Sequence, residues 1–207
     1  MRINDLPQTP NPFKLILISP ENGFSELEQL PLFFEEGLEY YHLRKPFFNE
    51  QELRSYLASL PDKYHKHIVI HSFHHLSGEF QIRGIHFTEK ERLKRIYKEF
   101  PSYASASFHD LNELLAWDIK YDCVFVSPVF DSISKEGYLS AFKKEELSNV
   151  LQKIPQEVIA LGGIDQNNIK EVKEMGFKGA AFLGAIWRSD NPLEKFRLIK
   201  AEINKLQ

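Results

Sequence analysis

Cysteine is almost missing from this chain. The 207 residues hold one, Cys123, so no intrachain disulfide can form, and its place inside an apolar run reads as a small buried hydrophobe in a reducing compartment. Long hydrophobic runs are missing as well. None approaches the ~20 residues that a membrane span needs, so no membrane partner is expected. The first residues, MRINDLPQTPNPFK, lack the apolar core of a secretory signal, and the expectation is a cytoplasmic protein. No basic stripe and no RNA-type aromatic motif appears, and the formal net charge is -3, so nucleic acid is not an expected partner either. What is there is an ordinary globular composition, 43% hydrophobic and 27% charged, with no linker-like stretch. One domain over residues 1–207, with 1–12 as an N-terminal extension, is expected to bury a sizeable single core.

Short apolar runs alternate with amphipathic stretches from end to end. Strands are predicted from Phe13, Leu38, Lys66, Ile82, Tyr103, Tyr121, Glu157 and Lys178, each short, rich in branched or aromatic residues and bounded by turn signals. Helices are predicted between them. One opens at Ser25 and stops at Gly37, and another opens at Asn49 with Leu53, Leu57 and Leu60 on one face. The weakest lies between Ser72 and Phe80. Eight such units, with no longer middle connection, predict an α/β fold of the single-domain (β/α)8 barrel kind, with a doubly wound open sheet as the alternative. In such a barrel the chemistry sits at the C-terminal ends of the strands.

Those ends carry a distinctive set of side chains. The run Tyr121–Val126 stops in Ser127-Pro128, and the loop SPVFDSISK that follows offers the hydroxyls of Ser132 and Ser134 and the cation of Lys135, groups that suit an anionic oxygen. Taken alone, the same residues make an ordinary solvated turn. Gly162 and Gly163 close the seventh strand, and Gly184, Ala185 and Ile186 follow the eighth, where backbone N–H groups of these barrels often hold phosphate. Arg44, at the end of the second strand, makes the mouth cationic, unless it only pairs with Glu35 or Glu36. His42, His71, His86 and His109 fall at the ends of strands two to five, and Ser107 stands two before His109. Each histidine by itself reads as a polar rim residue. Four at one mouth suggest proton transfer or, as a second reading, zinc, against which weighs the lack of a clear carboxylate or thiolate among them. His65, His67, His74 and His75 read as surface or loop residues. A small anionic substrate, most simply a phosphate ester, is expected.

These residues, in this order, resemble the thiamine phosphate synthase superfamily, which contains thiamine phosphate pyrophosphorylase and the thiazole tautomerase of bacterial thiamine biosynthesis. The resemblance runs from about Phe13 to Pro192. SPVFDSISK looks like the family's Gly-Pro-Val-Phe loop with its hydroxyls and lysine. Ala160–Ile164, Gly184-Ala185-Ile186, Ser107-Phe108-His109 and His42-Leu43-Arg44 resemble further family segments. The resemblance implies that Gly163, Ala185, Ile186, Ser132 and Ser134 hold the phosphate of a thiazole phosphate and that His109 is a base, with His42 or His71 returning or steering a proton.

Departures matter as much. The synthase binds magnesium through the aspartate of an Asn-Asp pair that ends strand three, where this chain has His71-Ser72, and through an aspartate after strand four, where Glu91 is the only plausible substitute. The family lysine of strand two falls on Pro46, with Lys45 one place early. The resemblance therefore implies a thiazole tautomerase without cofactor. The alternatives are the synthase, with magnesium on Glu91 and with Arg44, Ser107 and Lys135 holding a diphosphate, and a non-catalytic binder of thiazole phosphate or thiamine phosphate. The apolar surface of the Ser25–Gly37 helix permits a homodimer.

Overall fold

The computed structural model describes residues 12–21, 26–94, 100, 102–131 and 142–206. Eight parallel strands, β1 Lys14–Ile18, β2 Tyr40–Leu43, β3 Ile68–Ile70, β4 Gly84–Phe87, β5 Tyr103–Phe108, β6 Cys123–Val126, β7 Glu157–Leu161 and β8 Gly179–Phe182, pair in sequence order into a closed barrel. The ring shuts where Leu15 of β1 registers with Ala180 of β8. The eight strands lie where the alternating pattern puts them, and the barrel rather than the open sheet is the fold.

Nine α-helices are described: α1 Glu26–Glu35, α2 Glu50–Ser59, α3 Leu76–Glu79, α4 Glu89–Arg92, α5 Leu111–Ala116, α6 Lys144–Leu151, α7 Ile169–Glu174, α8 Gly184–Trp187 and α9 Pro192–Lys205. Asn49 starts α2 with a full capping box. Its side chain accepts from the Glu52 amide, and the Glu52 carboxylate accepts from the Asn49 amide. Gly37 follows α1 at φ +85°, as the predicted stop requires. Ser25, the predicted cap of α1, and the N-terminal residues 1–11 lie outside the described residues. The weak helix between Ser72 and Phe80 is one turn, α3, because little in HSFHHLSGEF sustains an apolar stripe. Two elements escaped the pattern, the 3₁₀ turn Asp62–His67 and the single-turn α8. Among the described residues no helix is long and apolar enough to cross a membrane.

Strand parity sorts the core. Successive side chains of a strand point to opposite faces. Ile16, Ile18, Cys123, Phe125, Ile159 and Ala181 form one buried cluster inside the barrel, whereas Leu17, Tyr41, Leu43, Ala104, Ala106 and Phe108 join the larger cluster between barrel and helices. The same alternation sends His42, Ser105 and Ser107 inward. His42 lies against Phe125 with ring centroids 5.0 Å apart, and β5 registers Ser107 with Phe125.

Candidate functional site

A cleft of about 670 Å³ opens at the C-terminal ends of the strands. Its wall includes Arg44, His71, His86, Ser107, His109, Gly162 and Gly184, all at strand ends or just after them. His109 follows the inward-facing Ser105 and Ser107 in the parity of β5. Its Nδ1 lies 2.9 Å from the Ser127 carbonyl and 3.2 Å from the Ser127 hydroxyl. A carbonyl only accepts, so Nδ1 carries a proton, and in the neutral ring the lone pair is then on Nε2.

Three other histidines meet in the barrel. His42 Nδ1 is 3.1 Å from His71 Nε2, and the rings of His71 and His86 stack with centroids 4.2 Å apart. His86 stands between two serines, its Nδ1 2.8 Å from Ser105 Oγ and its Nε2 2.8 Å from Ser107 Oγ. Burial is the first cause that holds all three rings below the usual histidine range. His42 is pushed down to about 3, with Arg83 adding to the effect. His71 is lowered well below its ordinary value, with His86 and His42 adding to burial, and so is His86, with His42 and His74 adding. At neutral pH the trio is uncharged. His42 is fully buried and outside the cleft wall, so it does not border the space where a ligand would sit.

The cations divide. Arg44 Nη1 reaches Glu21 at 2.5 Å, not Glu35 or Glu36; Glu36 pairs with Arg197 instead. Ser19 fixes the Arg44 backbone, its hydroxyl donating to the Arg44 carbonyl at 2.9 Å and accepting from the Arg44 amide at 2.8 Å. Lys45 is withdrawn from the mouth altogether. It is buried in an ion pair with Glu26, donates to the Pro20 carbonyl at 2.6 Å, and shares Glu26 with the hydroxyls of Tyr41 and Tyr56. That network straps the β1 and β2 loops together, and Lys45 cannot contribute charge to a ligand.

Gly162 and Gly163 have φ of +97° and +66°, in the region that favours glycine. A Cβ on Gly163 would lie 2.5 Å from the Asp131 carbonyl, and one on Gly162 would lie 2.9 Å from Pro128, so both glycines let the loop after β6 close on the loop after β7. Gly162 and Gly184 border the cleft. Gly163 and Ala185 stand behind it, and the Ile186 side chain is in the core. Ser132, Ser134 and Lys135 lie outside the described residues. Glu91 is engaged in the α4 cap, where its Oε2 accepts from the Thr88 amide at 3.0 Å and from the Thr88 hydroxyl at 2.7 Å.

Sequence reasoning passed over several residues. Trp187 and Arg188 border the cleft, and Trp187 Nε1 donates to the Ile18 carbonyl at 2.8 Å. The short α8 that carries Trp187 leaves no periodic signal. Ser105 was findable from the parity of β5. His65 is buried, not superficial, bridging the Leu57 and Phe80 carbonyls, and the half-buried His74 reaches the His86 carbonyl at 3.0 Å.

Residues 15–186 match the family model described as thiamine monophosphate synthase. The chain is similar to a thiamine-phosphate synthase of Oceanobacillus iheyensis, 28% identical over 58% of this chain, and to one of Archaeoglobus fulgidus, 29% identical over 53% of it. It spans 60% and 52% of the lengths of these two relatives. The crystal structure of a thiamine phosphate pyrophosphorylase from Bacteroides thetaiotaomicron superposes with a TM-score of 0.78 at 30% identity, covering 94% of this chain and 98% of that one.

Proposed function

The chain belongs to the thiamine monophosphate synthase family, and from that premise we propose that it acts on a thiazole phosphate by moving a proton, as a thiazole tautomerase. The observation that carries this reading is His109. One nitrogen is held as a donor by the Ser127 carbonyl, which leaves Nε2 as a base at the wall of a cleft large enough for a phosphorylated heterocycle. The neutral His71 and His86 on the same cleft wall can donate or accept hydrogen bonds without adding charge. The backbone of Gly162 and Gly184 and the loop after β6 would take the phosphate.

The transferase is the second reading, and the relatives' names support it more directly than they support the first. All three are named for the synthase or pyrophosphorylase activity. The magnesium that such a transfer uses finds few donors of its kind here. Magnesium takes hard oxygen donors. Here the end of β3 presents imidazole, Glu91 has an oxygen committed to the Thr88 cap, and Glu21 is paired with Arg44, which leaves the exposed Glu89 as the other carboxylate of the cleft wall.

One pair of assays separates the readings. The non-aromatic thiazole phosphate carboxylate is incubated with the protein in excess chelator and followed by NMR; conversion at enzymatic rates is expected. The thiazole phosphate, the pyrimidine diphosphate and magnesium are then mixed with the protein, and no thiamine phosphate is expected. Robust magnesium-dependent product would make the transferase the answer. Tight binding with turnover in neither assay would leave the non-catalytic binder.

A further inference from the structure

We propose that His42, His71 and His86 together bind one late first-row divalent cation, of the zinc class, in the floor of the cleft. The site rests on placement. One ring nitrogen of each histidine lies within 4.8 Å of the chosen nitrogens of the other two, and all three residues are buried. His42 Nδ1 lies 3.1 Å from His71 Nε2, and His42 Nε2 is buried with no hydrogen-bond partner.

The donor set selects the ion. Three imidazoles with no carboxylate among them favour zinc, copper, nickel or cobalt and disfavour magnesium and calcium. Three protein ligands and an open fourth position are the usual arrangement of a reactive zinc site. Here His71 and His86 border the cleft, so the open position would face the space where a water or an anionic oxygen can sit. Ser105 supplies the supporting contact. With Nε2 on the ion, His86 keeps its proton on Nδ1 and donates it to Ser105 Oγ, now 2.8 Å away.

Binding requires a rearrangement of the rings. In a tetrahedral site with zinc about 2.1 Å from each nitrogen, the nitrogens stand about 3.4 Å apart. His42 Nδ1 and His71 Nε2 are already 3.1 Å apart. The rings of His71 and His86, stacked at 24°, carry their lone pairs side by side, so one must turn about its Cβ–Cγ bond and His86 must leave Ser107. The Ser107 hydroxyl then becomes available in the cleft.

The inference is independent of the thiazole reading, because its test uses no substrate. The full chain is stripped with chelator and dialysed. It is then titrated with Co²⁺, read by visible absorption, and with Zn²⁺, read by calorimetry, with Mg²⁺ as the comparison. One equivalent of Co²⁺ with tetrahedral-type bands and one of Zn²⁺ are expected, with no heat from Mg²⁺. His71→Asn and His42→Gln should each weaken Zn²⁺ by about 100-fold or more, since loss of even a supporting contact costs about 10- to 100-fold. His75→Gln tests the exposed His75–Glu50 pair as a rival site and should leave binding unchanged. If the buried His42→Gln variant fails to fold, as judged by circular dichroism, His71→Asn at the cleft wall decides alone. Absence of stoichiometric binding, unchanged affinity in folded His71→Asn, or loss of binding in His75→Gln would overturn the proposal.

Discussion

At the scale of single residues, His109 and the buried trio differ in what holds them. His109 has a carbonyl on one side and the cleft on the other, whereas His42, His71 and His86 have mostly one another and serines. His109 is therefore placed to exchange a proton with a bound molecule without breaking an internal hydrogen bond. His109→Asn is expected to keep thiazole phosphate affinity within about tenfold and to lower turnover by roughly 10²–10⁴, the usual share of one general acid–base group. Isothermal binding and single-turnover kinetics check the two halves separately. Turnover at the parent rate would make His109 a rim residue and move the base to His71.

At the scale of elements, the site depends on two loops that meet. The turn after β7 approaches the loop after β6 so closely that the Val129 amide donates to the Leu161 carbonyl at 3.0 Å and the Phe130 amide to the Gly162 carbonyl at 3.2 Å. A side chain on Gly163 would strike the Asp131 carbonyl and would also have to adopt φ +66°. Gly163→Val should push the loop after β6 outward, lowering the melting temperature and weakening thiazole phosphate by more than tenfold. Gly176 makes a contrast. It also has positive φ, but a Cβ there meets Leu151 only at 3.8 Å, an ordinary contact. Gly176→Ala should cost about 1–2 kcal/mol of stability from the backbone alone and leave affinity unchanged. Equal affinity in both variants would separate the glycine turn from ligand binding.

At the scale of the whole molecule, the buried imidazoles make stability depend on pH. An unfolded histidine titrates near 6.5, whereas folded His42 titrates at about 3 and His71 and His86 are lowered in the same direction. Between pH 6.5 and 3 the unfolded chain binds protons that the folded barrel does not. Stability is thus unaffected by these groups above about pH 7 and falls as pH drops below 6.5, by about 1.4 kcal/mol per pH unit for each such histidine. Urea unfolding at pH 7 and at pH 5 should show this loss, and His42→Gln should make it shallower. An unchanged slope in that variant would mean that His42 is hydrated when folded.

The sequence by itself determined what repeats locally. Period-two apolar runs, caps such as Asn49 and stops such as Gly37 carried the eight strands and most helices, and counting those units was enough for the barrel. It also brought His71, His109, Arg44, Ser107 and the glycines to the right end of their strands, because strand-end chemistry in such a barrel follows from element order alone. Only the tertiary structure decided which of these groups meet. Barrel closure and register set His42 under His71, stacked His71 on His86 and left His109 apart on Ser127. A long-range ion pair drew Lys45 to Glu26 and out of the mouth. Gly163 is a glycine because another loop presses on it, and Trp187 reaches the cleft from a single helical turn. Such contacts join segments tens to more than a hundred residues apart, and no local periodicity encodes the partner at the far end.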